Sequence, residues 1–527
     1  MQRDRAKTIF ERSRPGRRAA VIPNLDVPER PADELLPGPL RRSAPAELPE
    51  ISEPEIVRHY NRLSRRNFDL DSGLYPLGSC TMKHNPRLNE RVAALPGHAR
   101  LHPAQRPARA QGALELMWEL ERALAEICGL PHVSLQPSAG SHGELAGLLL
   151  TKAYHADRGE GEQRTEVLTP DTAHGTNPAS VTMAGYELVK VGTNARGGVD
   201  VDELAEKVSD STACLMLTNP NTLGLFDENI EQITRIVRDA GGTLYYDGAN
   251  LNAIMGQSRP GDMGFDIVHV NLHKSFSQPH GGGGPGAGPI AVSDRLEPFL
   301  PVPRITRIGG RPSGDRGARS GGDDASDGAR APSAAAPSDN GAGVSFDLSS
   351  DHPRSIGRLR GFQGNFGVFV RAYAYILSLG GNGLTEASET AVLNANYLLS
   401  RLGNGRAGRY LPIAFDRTCM HEFVLSGQTA KNELGVTTLD LAKRLLDYGF
   451  HPPTIYFPLL VNEAMMVEPT ETETRESLDA FADAIEEILG EAEEDPELLK
   501  RAPYTTPVRR LDEARAARRN PVVRQPR

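Results

Sequence analysis

Cysteine is scarce in this sequence, because the 527 residues include only four. The four are spread along the chain at Cys80, Cys128, Cys214 and Cys419. No two of them have the CxxC spacing of a metal-binding knuckle, and four scattered cysteines do not make a disulfide framework. The scarcity excludes a disulfide-rich secreted protein, predicts no metal site and favours a reducing, cytoplasmic location.

An excess of positive charge is also absent. Lysine and arginine number 59 against 68 Asp and Glu, a net charge of −9, and this balance excludes a strongly basic nucleic-acid binder. No run of about 18 apolar residues occurs, and no apolar stretch follows the N-terminus, so the sequence predicts neither a membrane span nor export. With 39% hydrophobic and 24% charged residues, the composition is typical of a globular protein.

Three segments have little of the apolar content that a packed core needs. Residues 1–72 are rich in Arg and Pro, and they predict an arm that packs on another body and contains one helix, from Pro54 to Arg65. Residues 304–350 are mostly Gly, Ser, Ala, Asp, Arg and Pro, which predicts a disordered insertion. Residues 491–527 predict a charged surface tail.

The remaining residues predict two domains. From 73 to 303, short apolar runs such as Thr243–Tyr246 alternate with helical patterns, and this βαβα order is typical of a mostly parallel sheet covered by helices. From 351 to 490, helical patterns at 366–379 and 386–402 precede strand-like and helical pieces, which predicts a smaller α+β domain. The predicted fold class is therefore α/β.

A glycine-rich run, Gly281–Gly288, contains the spacing G-x-G-x-x-G of dinucleotide-binding loops. A Rossmann fingerprint opens a helix directly after a strand, whereas this run leads into the strand-like Ile290–Val292. No G-x-x-x-x-G-K-[ST] motif occurs either. The run is therefore interpreted as a flexible turn, or as backbone that comes close to a bulky group.

Two ionisable residues stand at the ends of predicted strands. Lys274 follows the strand-like run Asp266–Asn271, and Asp247 ends the run that begins at Thr243. Residues at the carboxyl ends of strands line the crevice where ligands bind in open α/β sheets. A carboxylate there can pair with a protonated ring nitrogen and hold pyridoxal phosphate as an electron sink. Taken alone, Lys274 is more often a surface residue, so this interpretation depends on other residues that converge with it.

Two further segments supply what a phosphorylated aromatic cofactor needs. Ser138, Gly140 and Ser141 open a helical segment with small residues, which leaves backbone N–H groups free to bind a phosphate. His174 follows another predicted strand and is suited to stacking on a planar ring. Each feature alone is explained as a cap, a turn or a structural histidine. In the order phosphate loop, stacking ring, acid and lysine, they describe one cofactor site.

A closer resemblance covers the chain from about Pro54 to Phe481. The motifs that carry it are Tyr75–Pro86 (YPLGSCTMKHNP), Asp171–Ala179 (DTAHGTNPA), Asn219–Phe226 (NPNTLGLF), Tyr246–Asn252 (YDGANLN), Asn271–Phe276 (NLHKSF), Gly364–Gly367 (GNFG), Arg371–Tyr375 (RAYAY) and Glu468–Glu473 (EPTETE). In these motifs the sequence resembles the glycine dehydrogenase (decarboxylating) family, the P protein of the glycine cleavage system, and specifically its second, C-terminal-half subunit.

The resemblance implies a fold, a cofactor and a set of site residues. The fold is that of type I pyridoxal phosphate-dependent transferases, which is aspartate aminotransferase-like. The cofactor is pyridoxal phosphate, bound covalently as a Schiff base on Lys274, with Asp247 on the pyridine nitrogen and His174 stacked on the ring. The implied catalytic residues are Lys274, His174, Asp247 and His273. The implied cofactor-binding residues are Lys274, Asp247, Ala249, His174, Ser138, Gly140, Ser141 and Asn219.

The implied activity is that of glycine dehydrogenase (aminomethyl-transferring), an oxidoreductase of amino-acid catabolism. Glycine displaces Lys274 to form an external aldimine, CO2 leaves, and the aminomethyl group passes to the lipoyl group of H protein. The implied partners are glycine, the lipoylated H protein and a homologous, lysine-lacking subunit 1, with two copies of each subunit, but no nucleic acid and no membrane. Within Tyr75–Pro86, the side chains Cys80, Lys83 and His84 are predicted to line the channel for the lipoyl arm.

Several alternatives stay open at the level of the sequence. A hydroxymethyltransferase-like or desulfurase-like type I enzyme would have much the same cofactor site, and a catalytically silent scaffold subunit is a further alternative, against which Lys274 and Asp247 argue. Cys80 is either a buried small residue or a reactive thiol. His273 either moves protons or supports its loop. Arg371 is either an anchor for the substrate carboxylate or a solvated helix arginine.

Overall fold

The structure is a computed structural model that describes residues 7–44, 46–280, 286–309 and 343–518. Its strands are β1 (His132–Ser134), β2 (Glu166–Pro170), β3 (Glu187–Val191), β4 (Thr212–Thr218), β5 (Thr243–Gly248), β6 (Ile267–Val270), β7 (Ile290–Val292), β8 (Arg304–Ile308), β9 (Ser345–Ser349), β10 (Phe423–Ser426), β11 (Thr454–Ile455) and β12 (Ala464–Val467).

The α-helices of the described residues are α1 (Ile9–Arg12), α2 (Ala32–Leu35), α3 (Glu53–Ser64), α4 (Arg87–Ala93), α5 (Pro96–Ala99), α6 (Gln111–Cys128), α7 (Gly140–Asp157), α8 (Thr176–Ala184), α9 (Val201–Lys207), α10 (Ile230–Asp239), α11 (Leu272–Ser275), α12 (Phe366–Leu402), α13 (Gly405–Tyr410), α14 (Gln428–Leu434), α15 (Thr438–Leu445), α16 (Arg475–Glu494), α17 (Pro496–Arg501) and α18 (Glu513–Arg518). In this part of the chain, none of them is both long and apolar enough to cross a membrane.

The large domain is built on a seven-stranded sheet in the order β1-β7-β6-β5-β4-β2-β3. β3, β2, β4, β5 and β6 pair in parallel, and β7 runs antiparallel to its neighbours β6 and β1. Every residue of the central strand β4 is buried, as expected for a parallel strand with helices on both faces. The mostly parallel α/β architecture of the sequence prediction is confirmed. Because β5 and β6 are parallel neighbours, their carboxyl ends open on the same edge of the sheet.

The small domain combines the antiparallel sheet β10-β12-β11 with helices. Phe423 and Leu425 of β10 and Val467 of β12 face the apolar side of α16 in a second core, separate from that of the large domain. This is the predicted α+β domain, although its boundaries differ from the prediction.

The predicted boundary at 351 is wrong, because the border between the two cores falls within α12. Gly380 has φ +64°, which interrupts this helix. Before the break, Phe369 and Tyr375 pack in the core of the large domain. After it, Ala395 and Leu398 pack in the core of the small domain. Leu384, four residues after the break, still packs in the core of the large domain, so the apolar face of α12 changes partner between Leu384 and Ala395 and not at the glycine.

Two predictions of unstructured segments also need correction. β8 and β9 pair antiparallel at the two ends of the predicted insertion 304–350, and Phe346 of β9 packs against Trp118 with ring centroids 5.8 Å apart. The centre of that insertion, 310–342, lies outside the described residues, as do 281–285 of the glycine-rich run. In the predicted tail, Leu499 of α17 is fully buried in the small-domain core. The tail therefore does not begin at 491.

The N-terminal arm differs from both domains in its exposure. α3 matches the predicted helix closely, and Ile51 just before it is buried. In the preceding described part of the arm, large apolar side chains are exposed, and they include Val21, Ile22, Leu25, Leu40 and Leu48.

Candidate active site

A cavity of about 190 Å³ lies at the carboxyl ends of β5 and β6. Its lining residues are Ser79, Gly140, Ser141, Glu144, His174, Thr176, Thr218, Thr222, Asp247, Ala249, Asn250, His269, Asn271, His273 and Lys274. Most of the site residues predicted from the sequence are in this set. The exceptions are Ser138 and Asn219.

Lys274 reaches the cavity from a short, well-anchored segment. All four residues of β6 are buried, and Asn271 then leads into the one-turn helix α11, which carries the lysine. The Lys274 ammonium donates a hydrogen bond to the carbonyl oxygen of Ser79 at 2.8 Å. The chain therefore holds one primary amine at the strand end where the sequence predicted it.

Asp247 is the last residue but one of β5, and its buried side chain lines the cavity. Its Oδ2 accepts a hydrogen bond from the Asn177 amide and its Oδ1 accepts one from the Ala249 backbone N–H, both at 3.0 Å, and His269 Nε2 lies 3.3 Å from the same Oδ1. Burial by itself raises the pKa of Asp247, but the charge of His269 and these hydrogen bonds outweigh it and bring the pKa below the usual value. The carboxylate is therefore held ionised and can face a cationic group.

The N-terminus of α7 forms the opposite side of the cavity. The first backbone N–H groups of a helix have no intrahelical acceptor, so those of Gly140 and Ser141 are available to an anion. A Cβ on Gly140 would lie 2.4 Å from Asn271 Oδ1, so only glycine fits there. Ser138 does not line the cavity; its hydroxyl lies 3.2 Å from His142 Nδ1, close to the N-terminus of α7.

His174 stands at the mouth of the cavity, in the loop between β2 and α8. Its Nδ1 lies 2.9 Å from the Thr176 hydroxyl, which in turn donates to Glu144 at 2.8 Å, so the ring orientation is fixed by a chain of hydrogen bonds. Its ring meets Phe457 edge to face, with centroids 5.6 Å apart. Burial and then the charge of Lys274 lower the pKa of His174, which favours a neutral ring suited to stacking.

His273 precedes the lysine and lines the cavity as well. Burial, followed by the charge of Lys274, lowers its pKa to about 3. Its Nδ1 is buried without a hydrogen-bond partner among the described residues. A histidine held neutral at ordinary pH is a poor proton carrier near neutrality, which favours support of the loop over proton transfer.

Asn219 does not reach the cavity. Its side-chain oxygen accepts the backbone N–H of Asp227 at 2.9 Å, and its amide nitrogen faces the sulfur of Met263 at 3.9 Å. Its backbone carbonyl accepts a hydrogen bond from Tyr246. The side chain turns away from the crevice because it braces the turn that follows β4, so the geometry does not support cofactor binding by Asn219.

The predicted channel segment 75–86 is close to the site, but its side chains have other roles. Burial raises the pKa of the Cys80 thiol, more than the charge of Lys274 lowers it, and the sulfur lies 3.5 Å from His280 Nδ1. Lys83 is buried and is not among the residues that line the cavity. Its ammonium donates to Glu471 at 2.8 Å and to the Ser275 carbonyl at 2.7 Å. These contacts join the segment to both domains.

Two other side chains of the predicted set lie apart from the cavity. His84 is exposed, and its backbone N–H donates to the hydroxyl of Thr472. Arg371 makes a bidentate ion pair with Glu90, at 2.8 and 3.0 Å, and does not line the cavity. The guanidinium already has a carboxylate partner, so the structure does not support Arg371 as the substrate anchor.

The cavity also contains residues that the sequence analysis did not assign. Glu144 accepts hydrogen bonds from Thr176 and Ser180, and the Thr218 hydroxyl is buried without a partner in the described part of the chain. His269 lies two residues before the motif Asn271–Phe276. In the sequence it looks like any other residue of the strand β6. The alternation of side chains along a strand is the signal that could have placed His269 beside Asp247, because Asp247 of β5 and His269 of β6 are register partners.

Comparison with known proteins shows the family. A family model described as "Glycine dehydrogenase, C-terminal domain" matches residues 387–503. The chain is 54% identical to a probable glycine dehydrogenase (decarboxylating) subunit 2 of Caldanaerobacter subterraneus, over 98% of each chain. It is 52% identical to the protein of the same name from Bacillus velezensis, over 98% of this chain and 96% of that relative.

Solved structures agree with the fold. A glycine decarboxylase (P-protein) of the glycine cleavage system in inhibitor-bound form has a TM-score of 0.68 at 20% identity, over 87% of this chain and 95% of the other. A cysteine desulfurase from Thermococcus onnurineus has a TM-score of 0.57 at 16% identity, over 80% and 95%. These likenesses support the type I pyridoxal phosphate-dependent transferase fold. By the extent of its sequence identity, the chain belongs to the family of glycine dehydrogenase (decarboxylating) subunit 2.

Proposed function

We propose that this chain is the pyridoxal phosphate-bearing subunit of a glycine decarboxylase. The observation that carries the proposal is the convergence of Lys274, Asp247 and the N-terminus of α7 on one cavity. Since the chain is more than half identical to a relative named glycine dehydrogenase (decarboxylating) subunit 2, glycine is the proposed substrate.

The residues of the cavity fit pyridoxal phosphate. An amine, an ionised carboxylate and free helix N–H groups are the three features that its aldehyde, its pyridine nitrogen and its phosphate require. The buried Thr218 hydroxyl without a partner, and the Gly140 position that has no room for a Cβ, are consistent with a polar ligand held close to the backbone. When bound, the cofactor supplies an electron sink for the electrons that remain when the substrate carboxyl group leaves as CO2.

Each residue then has a defined task. Lys274 would bind the cofactor covalently, and Gly140 and Ser141 would hold its phosphate. Asp247 would keep the ring nitrogen protonated, because its ionised carboxylate favours a positive charge beside it. His174 would cover one face of the ring as a neutral imidazole. Ala249 acts through its backbone N–H, which orients Asp247.

The partners follow from the same proposal. The relatives are named as a second subunit, which implies a complex with another subunit. We propose that this other subunit is the homologous one that lacks the lysine, with two copies of each, and that the aminomethyl group is passed to the lipoyl group of H protein. A cytoplasmic location accompanies the proposal as a prediction.

A desulfurase-like activity is the second candidate, because a cysteine desulfurase shares the fold. Sulfur transfer needs a nucleophilic thiolate. Burial raises the pKa of Cys128, Cys214 and Cys419 to about 12, and it also raises the pKa of Cys80. With all four thiols held protonated, the chain has no cysteine suited to that reaction.

The test uses the full chain co-expressed with the proposed subunit that lacks the lysine. With lipoylated H protein present, we expect exchange of labelled CO2 into the carboxyl group of glycine, and borohydride reduction should fix the cofactor on the peptide that contains Lys274. Release of sulfide from cysteine or of formaldehyde from serine, without glycine exchange, would contradict the proposal. A cofactor fixed on another lysine would contradict the assignment of Lys274.

A further inference from the structure

Two buried glutamates of the small domain lie behind the wall of the candidate active site. Glu422 immediately precedes β10, and Glu468 immediately follows β12. Because Phe423 and Val467 are register partners in this antiparallel pair, Glu422 and Glu468 continue the register and lie opposite each other. Both side chains are almost completely buried, with 0% and 1% of their surface exposed.

Hydrogen bonds attach this pair to the cavity wall. Glu422 accepts from the backbone N–H of Ser79 at 2.6 Å and from the Asn250 amide at 3.2 Å. Glu468 accepts from the Thr81 hydroxyl at 2.5 Å through one oxygen, and its other oxygen is buried without a partner in the described residues. Ser79 and Asn250 themselves line the cavity. The pair therefore lies one residue away from the space where substrate would bind.

Ser79 connects the pair to the lysine. Its N–H donates to Glu422, and its carbonyl oxygen accepts the hydrogen bond from the Lys274 ammonium. Ser79 has φ +63°, in the left-handed region that residues other than glycine seldom adopt. This backbone conformation lets one residue contact both the carboxyl group and the amine.

Both carboxyl groups hold their protons to a higher pH than an ordinary glutamate does. Burial raises the pKa of Glu422 to about 7, although the Ser79 N–H and the charge of Lys274 act against the rise. Burial and the charge of Glu422 raise the pKa of Glu468 well above its usual value. Two adjacent carboxyl groups in such a setting lose their protons in two separate steps. The pair therefore keeps a proton over the range in which other carboxyl groups are ionised.

The other ionisable groups near the pair do not provide a positive charge that would let both carboxyl groups ionise. His421 lies beside Glu468, with Nε2 3.9 Å from its oxygen, and burial lowers the pKa of His421 to about 3, so it is neutral. Glu471 is neutralised by its ion pair with Lys83. Cys80 is a protonated thiol. The charge of Lys274 also acts on Asp247, His174, His273 and His280, and Glu144 and His269 line the same cavity.

We propose that Glu422 and Glu468 share one proton and act as positioning residues that set the proton affinity of the Lys274 nitrogen. With one proton the pair carries a single negative charge, which balances the ammonium of Lys274. When that proton leaves at higher pH, the second negative charge strengthens the hold of Lys274 on its own proton. This inference rests on the proposed role of Lys274 as the cofactor lysine.

A bound cation is the rival explanation for two carboxyl groups and an imidazole in one place. The ammonium of Lys274 opposes it, since its positive charge acts on Glu422, Glu468 and His421 alike. The shared proton needs no further ion. Metal analysis of the purified full chain separates the two explanations, because a stoichiometric metal that disappears in Glu468→Gln would overturn the proposal.

The shared proton has a direct spectroscopic test that needs neither substrate nor turnover. Infrared spectra of the full chain at neutral pH, in H2O and in D2O, should contain the band of a protonated carboxyl group that is missing from Glu422→Gln and from Glu468→Gln. Glu121→Gln is the reference variant: burial raises the pKa of Glu121 to about 8 at a site beside Arg304 and away from Lys274, so this variant should lose a separate carboxyl band and keep the band of the pair. An unchanged carboxyl band in both variants of the pair would overturn the proposal.

The effect on Lys274 is read from the cofactor's visible absorbance. The pH midpoint of that absorbance reports the proton on the Lys274 nitrogen. In the double variant Glu422→Gln/Glu468→Gln we expect the midpoint to fall by roughly one to two pH units, because a neighbouring charge has been removed. The single variants, which keep one carboxylate, should fall by less. Glu121→Gln should keep the midpoint of the unchanged protein.

The outcomes also separate this inference from the proposed function. If Lys274 does not hold the cofactor, no variant shows the absorbance of a lysine-bound cofactor, and the proposed function fails while the infrared test still reports on the pair. If the absorbance is present and its midpoint is the same in the unchanged protein and in the double variant, the proposed function stands and the role of the pair is refuted.

Discussion

Buried acids lie in the large-domain wall of the cavity and behind the cavity in the small domain, and their pKa values are shifted in opposite directions. On the large-domain wall, Asp247 has two hydrogen-bond donors and His269 beside it, and its pKa is lowered. On the small-domain side, Glu422 and Glu468 stand opposite each other at the ends of β10 and β12, and the pKa of each is raised. All three carboxyl groups are buried to a similar degree.

Burial alone therefore does not decide the charge state of these acids. Desolvation acts in the same direction on each of them, so the difference comes from the neighbours. Asp247 faces donors and a positive charge, whereas Glu468 faces another carboxyl group. The large-domain wall keeps a fixed negative charge, and the small-domain side holds a proton that it can release.

The change with the largest expected effect is Lys274→Ala, which removes the amine that interacts with Asp247 on one side and with Glu422 on the other. We expect complete loss of covalent cofactor and of glycine exchange, because no other group in the cavity can form that bond. The fold should persist, since the side chain is only partly buried and its one hydrogen bond is to the Ser79 carbonyl. Absorbance spectra and circular dichroism measure the two results. Retention of lysine-bound absorbance would contradict the assignment.

Asp247→Asn tests the fixed charge of the large-domain wall. The amide keeps the shape of the side chain but removes the negative charge beside the ring nitrogen, so we expect the turnover of the loaded enzyme to fall by about 10²–10³-fold. Exchange of labelled CO2 into glycine measures it. Glu121→Gln, which removes an acid far from the cavity, is the control. A rate within a few-fold of the unchanged protein would show that the ring nitrogen is handled in another way.

Much of the large-domain wall could be predicted from the sequence, because its residues follow strands. Lys274 and Asp247 come directly after apolar runs, and parallel strands bring such positions to one edge. The edge strand β3 has a weaker signal in the sequence, because Glu187 and Lys190 interrupt its apolar pattern. Asn219 also follows a strand, yet its side chain braces a turn, and strand position alone does not distinguish these two outcomes.

The small-domain side could not be predicted in the same way. Between Glu422 and Glu468 the chain forms the two helices α14 and α15 and the strand β11, and the antiparallel register of β10 and β12 brings the two glutamates together. Charged residues are expected at the surface, so nothing in the local sequence marks them as buried. The domain border inside α12 was missed for a similar reason, because a helical pattern does not show which core each turn faces.

The pH dependence of the free energy of unfolding should change in opposite directions when Glu422 or Asp247 is replaced. A raised carboxyl pKa costs stability as pH rises from the unfolded pKa, near 4.5, to the folded value of about 7 for Glu422. Glu422→Gln cannot ionise, so it should gain up to about 3 kcal/mol relative to the unchanged protein between pH 5 and pH 8.

Asp247→Asn should behave in the opposite way. A lowered carboxyl pKa stabilises the fold above the unfolded pKa, and this contribution is lost as pH falls through the folded pKa. The variant should therefore be less stable than the unchanged protein near neutrality, and the difference should shrink in acid. Urea unfolding of the full chain at several pH values measures both variants. The same sign of pH dependence for both would break the comparison.

The smallest expected effect distinguishes Ser141, which lines the cavity, from the nearby Ser138, which does not. Ser141 lines the cavity at the N-terminus of α7, whereas the Ser138 hydroxyl is engaged with His142. We expect Ser141→Ala to weaken cofactor binding by about tenfold, the value of roughly one hydrogen bond to a charged group, and Ser138→Ala to weaken it less. Titration of cofactor-free protein with pyridoxal phosphate measures both. The two variants each remove one serine hydroxyl, and the two positions are three residues apart. Equal losses of affinity would show that the phosphate lies between Ser138 and Ser141 and that its binding site includes the residues before α7.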